Sequence, residues 1–289
     1  MADVFLVWGN LCVAFCLMSA VVFFVGRGRI YAVGVMMFYG VGMVSAGEAS
    51  SRGWPPAAVM LVSALGAATL AVLHAPLLQR LRGDPFILAT LLLLEVVRRV
   101  SVRLHGHDGL TALPRPAGSL PPTVALVTGV AAVCAIMFLL LSRGEWRRRW
   151  QAIGEGLPSL VSSGGVSPLG LSTLAFSIGA AIAGAAGVMS VWLFRSTEPA
   201  RLTISASISV FAFSFVGGMS LLGALVGAAL YVLPDLIVQE LFKTASGVDA
   251  AQWRTLLIGG VLVAIVLWQP AGLAGNQAPF LPEGRSGDG

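Results

Sequence analysis

The residues of this chain that could do chemistry stand in a few clusters. Glu95 is followed at i+3 and i+4 by Arg98 and Arg99, a spacing that sets all of them along one side of a helix and makes an intrahelical ion pair natural. Such a group neutralises itself inside a bundle or forms a polar element of a solute path, and the spacing leaves both open. His105, His107 and Asp108 imitate a metal set, but the Gly and Pro around them read as an exposed loop, so no metal is expected. Cys12 and Cys16 share a helix face at i, i+4 without a His or carboxylate beside them, and with Cys134 they read as small hydrophobes rather than ligands or a disulfide. No Gly-rich phosphate loop ending in Lys-Ser or Lys-Thr, no G-x-S-x-G elbow and no H-E-x-x-H helix occurs. The chain therefore reads as no enzyme, with no cofactor or metal of its own.

The densest charge lies in S-R-G-E-W-R-R-R-W-Q-A-I-G-E-G, residues 142–156. Trp146, Trp150 and Ile153 fall on one helical stripe, with Arg147, Arg148 and Arg149 beside it and Glu155 just beyond. A short amphipathic helix of this kind rests on anionic headgroups, or it inserts into a groove of a soluble partner, where Trp and Arg are apt hot-spot residues. The stretch alone leaves the choice open.

The elements that must hold these clusters are membrane helices. Hydrophobic residues make up 57% of the 289 and charged residues 11%, and the mean hydropathy is +0.88. Such values do not suit a water-soluble domain. Apolar runs near the roughly 20 residues needed to cross a bilayer recur at 4–25, 30–45, 56–74, 86–103, 122–142, 169–194, 203–217, 221–242 and 252–268. The fold class that follows is all-α, a polytopic transmembrane bundle of about nine segments. Runs such as 124–141 lack the alternation of a membrane barrel. The segments 30–45 and 203–217 are short, and Gly34, Gly40 and Gly42 sit in the former, so either is expected to be tilted, broken or re-entrant.

Residues 1–275 then form one transmembrane domain and 276–289 a flexible tail, with the longest polar interruptions at 104–121 and 143–168. No Lys or Arg precedes the first apolar run, so no cleaved signal peptide is expected. Positive clusters orient the chain: the arginines at 143 and 147–149 put that loop in the cytoplasm together with Arg27, Arg29, Arg80 and Arg82. That leaves the N-terminus outside and brings the C-terminus in. The net charge of +5 expresses topology and partner contacts rather than nucleic-acid binding.

Small residues mark where helices approach one another. Ala175, Gly179, Ala183 and Gly187 recur every four residues, and Gly223 and Gly227 repeat the spacing. They serve close packing, or part of this smooth face walls a passage that opens and shuts. The glycines after Val216 suit a tight cytoplasmic hairpin.

Ordered motifs from about residue 26 to 275 resemble the LivM-type permease subunits of ABC importers for branched-chain amino acids. The family's R-L-R-G-D-Y-F-A-I-x-T-L is echoed by Arg80-Leu81-Arg82-Gly83-Asp84-Pro85-Phe86-Ile87-Leu88-Ala89-Thr90-Leu91, with Glu95 and Arg98 after it. Its G-x-D-G-L turn is echoed by Gly106-His107-Asp108-Gly109-Leu110. Ala175-Phe176 with Ala183-Gly184-Ala185-Ala186-Gly187 resembles the helix after the coupling loop, the 216–228 run resembles G-G-x-G-S-x-x-G-P-x-x-G-A, and 269–275 resembles R-P-x-G-L-x-G. Pro158, Pro85 and Met219 depart from the pattern and imply a divergent branch with a shortened coupling cradle.

The resemblance implies a permease subunit in the bacterial inner membrane, paired with a related permease in a heterodimer. It implies two cytoplasmic ABC ATPase subunits that bind ATP and Mg, an extracytoplasmic solute-binding protein, and docking of the 143–168 loop, with Trp146 to Glu155, on an ATPase. Branched-chain amino acids or a related small amphipathic solute would be the cargo. A stand-alone secondary transporter or channel is the alternative, but it requires coupling-ion ligands at mid-depth, for which only Glu95 qualifies.

Overall fold

The computed structural model of the chain describes residues 2–28, 30–74, 81, 84–141, 143–154, 165, 167–241 and 259–260. They form helices and connecting segments with no strand among them: α1 (Ala2–Val21), running on as a π-helical turn (Val22–Arg27), α2 (Met36–Ser51), α3 (Pro56–Leu73), α4 (Asp84–His105), α5 (Leu120–Leu141), α6 (Gly144–Gly154), α7 (Pro168–Phe194), a 3-10 turn (Pro199–Arg201), α8 (Ile204–Gly217) and α9 (Leu221–Leu241). Among the described residues, Asp3–Arg27, Pro56–Leu73, Leu120–Leu141 and Pro168–Phe194 are long and apolar enough to cross a membrane. The expected segment at 252–268 lies outside the described residues except at 259–260, which are helical. The expected tail at 276–289 lies outside them altogether.

The bundle is arranged for lipid rather than water. On α3 the buried positions Val59, Ser63, Ala67 and Ala71 recur every four residues, while Leu61, Leu65 and Leu73 project outward. On α5 the inward set Val127, Ala131, Cys134 and Phe138 follows the same helical rule, and Val133, Ile136 and Leu140 face out. Large apolar side chains on the outside and small ones between helices are what packing in hydrocarbon requires, because lipid tails are as apolar as leucine and association rests on close approach.

At the centre is α7, buried without interruption from 182 to 193 and packed against α1, α2 and α3. Ser167 caps its start by accepting from the Gly170 N–H, with Pro168 in the first turn, where its missing N–H is harmless. The backbones of α2 and α7 cross so closely that a Cβ on Gly42 would overlap the Gly184 carbonyl and one on Gly187 would overlap that of Tyr39. Ser45 Oγ then reaches Ser63 Oγ at 2.9 Å and ties α2 to α3.

The expected helix at 30–45 is corrected. Residues 30–35 are irregular, with tight turns closed by the Ala32 N–H on the Ile30 carbonyl and the Val35 N–H on the Val33 carbonyl, both at 2.9 Å, and the helix begins at Met36 and runs to Ser51. After the π turn the chain thus re-enters the bundle as non-helical backbone, with Ile30, Ala32, Val33 and Val35 buried. Buried peptide groups must find partners. The tight turns supply some, and two hydroxyls supply others. Ser207 Oγ on α8 donates to the Val33 carbonyl at 2.6 Å and accepts from the Met36 N–H at 3.3 Å. Thr90 Oγ1 on α4 accepts from the Gly34 N–H at 3.2 Å and donates to the Ile87 carbonyl at 2.8 Å.

A second stitch closes the end of the bundle remote from α6. Arg195 ends α7 in the left-handed conformation, and its Nε donates to the Leu113 carbonyl at 2.8 Å. Leu110 N–H donates to Thr197 Oγ1 at 2.8 Å, and Thr197 N–H donates back to the Leu110 carbonyl at 2.8 Å. Gly109 lies at φ +68°, where a side chain would also overlap the Thr197 carbonyl, so the G-x-D-G-L turn owes its glycine to this contact.

Ser207→Ala should lower stability by about 1–3 kcal/mol, because the Val33 carbonyl and the Met36 N–H both lose a buried partner. Exposed Ser205→Ala should be nearly neutral. Thermal unfolding of the purified protein in detergent checks this, and equal midpoints for the two variants would contradict it.

Candidate functional site

The basic stretch folds as α6, a helix whose Glu145 and Arg149 pair across one turn at 3.2 Å. Its two tryptophans part company. Trp150 is 1% exposed and packs edge-on against Phe23 in the π turn, with ring centroids 6.4 Å apart. Phe23 in turn meets Phe138 near the end of α5 at 5.0 Å, and the Arg27 guanidinium lies 5.5 Å from the Phe138 ring. Trp146 is 41% exposed, stacks on Trp150 at 5.6 Å and carries the Arg149 guanidinium 5.8 Å above it. Trp150 is therefore a pin that holds α6 to α1, while Trp146, Glu145 and Arg148 present the outward surface. Arg147 and Ile153 belong to the helix but their side chains are outside the description, and Glu155 lies outside the described residues.

In α4, Glu95 receives a fork from Arg98, Nε to Oε2 at 2.8 Å and Nη2 to Oε1 at 2.7 Å, and a further bond from Arg99 Nε to Oε1 at 3.0 Å. The helix turns Phe86, Thr90, Leu94 and Ser101 inward, and the ion cluster lies at the edge of its outward face beside Leu92 and Val96. Arg99 is 79% exposed. Midway along a helix in a membrane protein, such a face requires water or protein against it rather than lipid tails.

The small-residue stripes sit in helix contacts. Gly179 lies on Phe24 and the Ala20 carbonyl of α1, Ala183 is fully buried, and Gly187 lies on α2. Gly223 and Gly227 pack on the end of α8, at Gly218 and Phe213. The bend at Gly218, φ +104°, closes the hairpin from α8 to α9, and Met219 approaches Gly26 of the π turn, which puts that hairpin at the α6 end. His105 lies 3.4 Å from Glu48, His107 and Asp108 are exposed, and among the described residues no group of three His, Cys, Asp or Glu converges on a metal position.

A concavity at another place in the bundle is lined by neither Glu95 nor the stripes. A cavity of about 540 Å³ lies among α1, α2, α7, the 3-10 turn, α8 and α9. Asn10, Tyr39, Ser190, Glu198, Arg201 and Thr203 give it polar groups, and Val13, Leu17, Met36 and Phe194 give it apolar wall. Arg201 Nε donates to Glu198 Oε2 at 2.7 Å, Ser196 Oγ donates to Glu198 Oε1 at 3.0 Å, and the Arg201 guanidinium lies 4.1 Å over the Phe194 ring. The hydrogen bond from Arg201 holds the Glu198 carboxyl below its ordinary range, so this pair is charged at neutral pH.

The cavity and α6 are at opposite ends. Asn10 lies about 20 Å along the α1 axis from Phe23, and Ser190 lies about 20 Å along α7 from Phe176, whose ring touches Phe24 at 4.9 Å. Helices α1 and α7 thus run from the α6 anchor to the cavity wall. Sequence reasoning missed Glu198 and Arg201; their i, i+3 spacing directly after an apolar run was the available signal.

Residues 5–266 match the family described as branched-chain amino acid transport system / permease component. The chain is 27% identical over 297 aligned residues to the high-affinity branched-chain amino acid transport system permease protein LivM of Salmonella typhimurium. It is likewise 27% identical over 299 residues to the protein of that name from Escherichia coli. Each alignment covers 89% of this chain, which spans 64% of the length of those relatives. No solved structure matches the chain.

The Glu95 cluster predicts an ordered set of stabilities. Glu95→Gln leaves two cations without their acid, so it should lower the thermal midpoint more than Glu95→Gln combined with Arg98→Gln and Arg99→Gln. Equal midpoints with loss of transport alone would assign the cluster to the solute path instead.

Proposed function

The chain belongs to the branched-chain amino acid transport permease family, and from that premise we propose that it forms half of the membrane passage of an ATP-driven importer in a bacterial inner membrane. A related permease subunit forms the other half. Two cytoplasmic ABC ATPase subunits bind ATP and Mg, and an extracytoplasmic solute-binding protein delivers the cargo. The cargo is a branched-chain amino acid or a related small amphipathic solute.

The observation that carries this reading is the division of labour within α6. A helix that only rested on headgroups would turn its apolar stripe to lipid, whereas here Trp150 is consumed by contact with Phe23 and Phe23 by contact with Phe138. A push on the outward surface of α6 is delivered through Trp150 to the π turn of α1. An i+5 turn inside a helix is less regular than its surroundings and is a suitable place for a shift to begin. From there α1 and α7 lead to the cavity, and closing of the ATPases on ATP binding switches access from one side of the membrane to the other. Hydrolysis itself belongs to the partner chains.

Reconstitution with a related permease, ABC ATPases and a solute-binding protein from the same organism, and uptake of labelled leucine, urea and a short carboxylate, tests the reading. ATP-dependent leucine uptake is expected, and ATP-independent uptake by this chain alone would overturn it in favour of a secondary transporter. Within that system Trp146→Ala should weaken ATPase docking by about thirtyfold, equivalent to ~2 kcal/mol for an aromatic hot spot, with the thermal midpoint unchanged. Trp150→Ala should lower the midpoint as well, because it empties a buried site. Normal leucine-stimulated ATP hydrolysis in folded Trp146→Ala would assign α6 to lipid anchoring.

A further inference from the structure

At the end remote from α6, Glu198 and Arg201 form a charge-balanced pair in the wall of a cavity that is otherwise largely apolar on its α1 side. The pair is held but not sealed: its side chains are 42% and 36% exposed, so opening it to admit a ligand is not prohibitive. Arg201 is stacked on Phe194 by one face, which leaves its N–H edges to read a planar carboxylate, and Ser196 steadies Glu198 from the side opposite the guanidinium bond. Tyr39 and Ser190 add hydroxyls to the same wall. The volume of about 540 Å³ corresponds to roughly 18 waters of liquid and lies within the usual range for small-molecule sites.

The geometry points to this cavity as a binding site for a free α-amino acid in its zwitterionic form, with the carboxylate on Arg201, the ammonium on Glu198 and an apolar side chain against Val13 and Leu17 of α1. The inference rests on the importer reading and adds to it the residues that receive the solute. Insertion of a zwitterion exchanges one ion pair for two and leaves no net charge in the cavity. A solute with only a carboxylate would leave Glu198 facing a second anion once Arg201 was taken, and one with only an amine would strip Glu198 from Arg201 and leave the guanidinium unmatched. The site selects for paired opposite charges on a compact body.

Two measurements decide the matter. In the complete reconstituted importer, Glu198→Gln and Arg201→Gln should each lower leucine taken up per ATP hydrolysed by about tenfold, the loss expected when one charge partner is removed from a bound ion. The exchanged pair Glu198→Arg with Arg201→Glu should not restore it, because the salt bridge returns but the solute-facing polarity is reversed. Uptake per ATP near wild type in the single variants, or restoration by the exchange, would overturn the site and leave a structural ion pair. The second measurement uses the wild-type complex in detergent without its binding protein. Millimolar leucine should raise the thermal midpoint, while isocaproate and isoamylamine, each carrying half of the zwitterion, should not. Equal shifts from all three, or from none, would overturn the proposal even if the variants fail to fold. Failure of the wild-type importer to take up leucine with ATP would instead remove the importer reading, and the thermal measurement would still judge the site.

Discussion

Six residues of irregular backbone inside a membrane bundle set the terms for everything around them. A helix satisfies its own peptide groups, but the segment 30–35 does so only in part, through two tight turns, and lipid offers nothing for the rest. Two hydroxyls on separate helices reach this segment: Ser207 donates to the Val33 carbonyl and accepts from the Met36 N–H, and Thr90 accepts from the Gly34 N–H while donating to Ile87 on its own helix. Each works only if its helix is at the right depth and rotation, so α8 and α4 are both registered against the same strip of chain. The start of α2 is fixed in consequence, and Met36 and Tyr39 are brought to the wall of the cavity. An irregular stretch at depth thus positions the concavity and holds it open between regular helices.

Much of the fold was legible in the sequence because hydrocarbon imposes a length and a composition on every crossing. The segments 56–74, 122–142 and 169–194 agree with α3, α5 and α7 to within about two residues. The segment at 30–45 was legible as irregular through its glycines, but not as non-helical over 30–35, because Ile30, Val33 and Val35 are as apolar as any helix interior. What decides their conformation is a pair of hydroxyls 56 and 171 residues away in sequence along their hydrogen bonds. Hydropathy carries no trace of such partners. The continuation of α2 to Ser51 was hidden for a related reason: Glu48 lowers the local hydropathy, yet it bonds Arg52 along the helix and His105 on α4.

The candidate site divides in the same way. The amphipathic stripe of α6 follows from spacing alone, but the allocation of Trp150 to its own chain and Trp146 to the outside does not, since the two differ only in what stands opposite them. The Glu95 cluster was legible because its partners lie one turn away. Glu198 and Arg201 are equally close in sequence, but they sit in a connection between α7 and α8, where charged residues are ordinary. Their significance comes from α1, α2 and α9 closing around them, which is tertiary information.

The two ends of the molecule are joined by α1 and α7, one carrying the π turn and its Trp150 contact, the other buried along its inner half. The account requires that α6 and the Glu198–Arg201 cavity open to opposite sides of the membrane. All three native cysteines, Cys12, Cys16 and Cys134, are buried, so single cysteines introduced at exposed Glu145 and exposed Ala200 can be followed against a quiet background. Labelling with a membrane-impermeant maleimide in oriented vesicles should modify Glu145→Cys only from the cytoplasmic side and Ala200→Cys only from the other. Modification of both from one side would contradict the account.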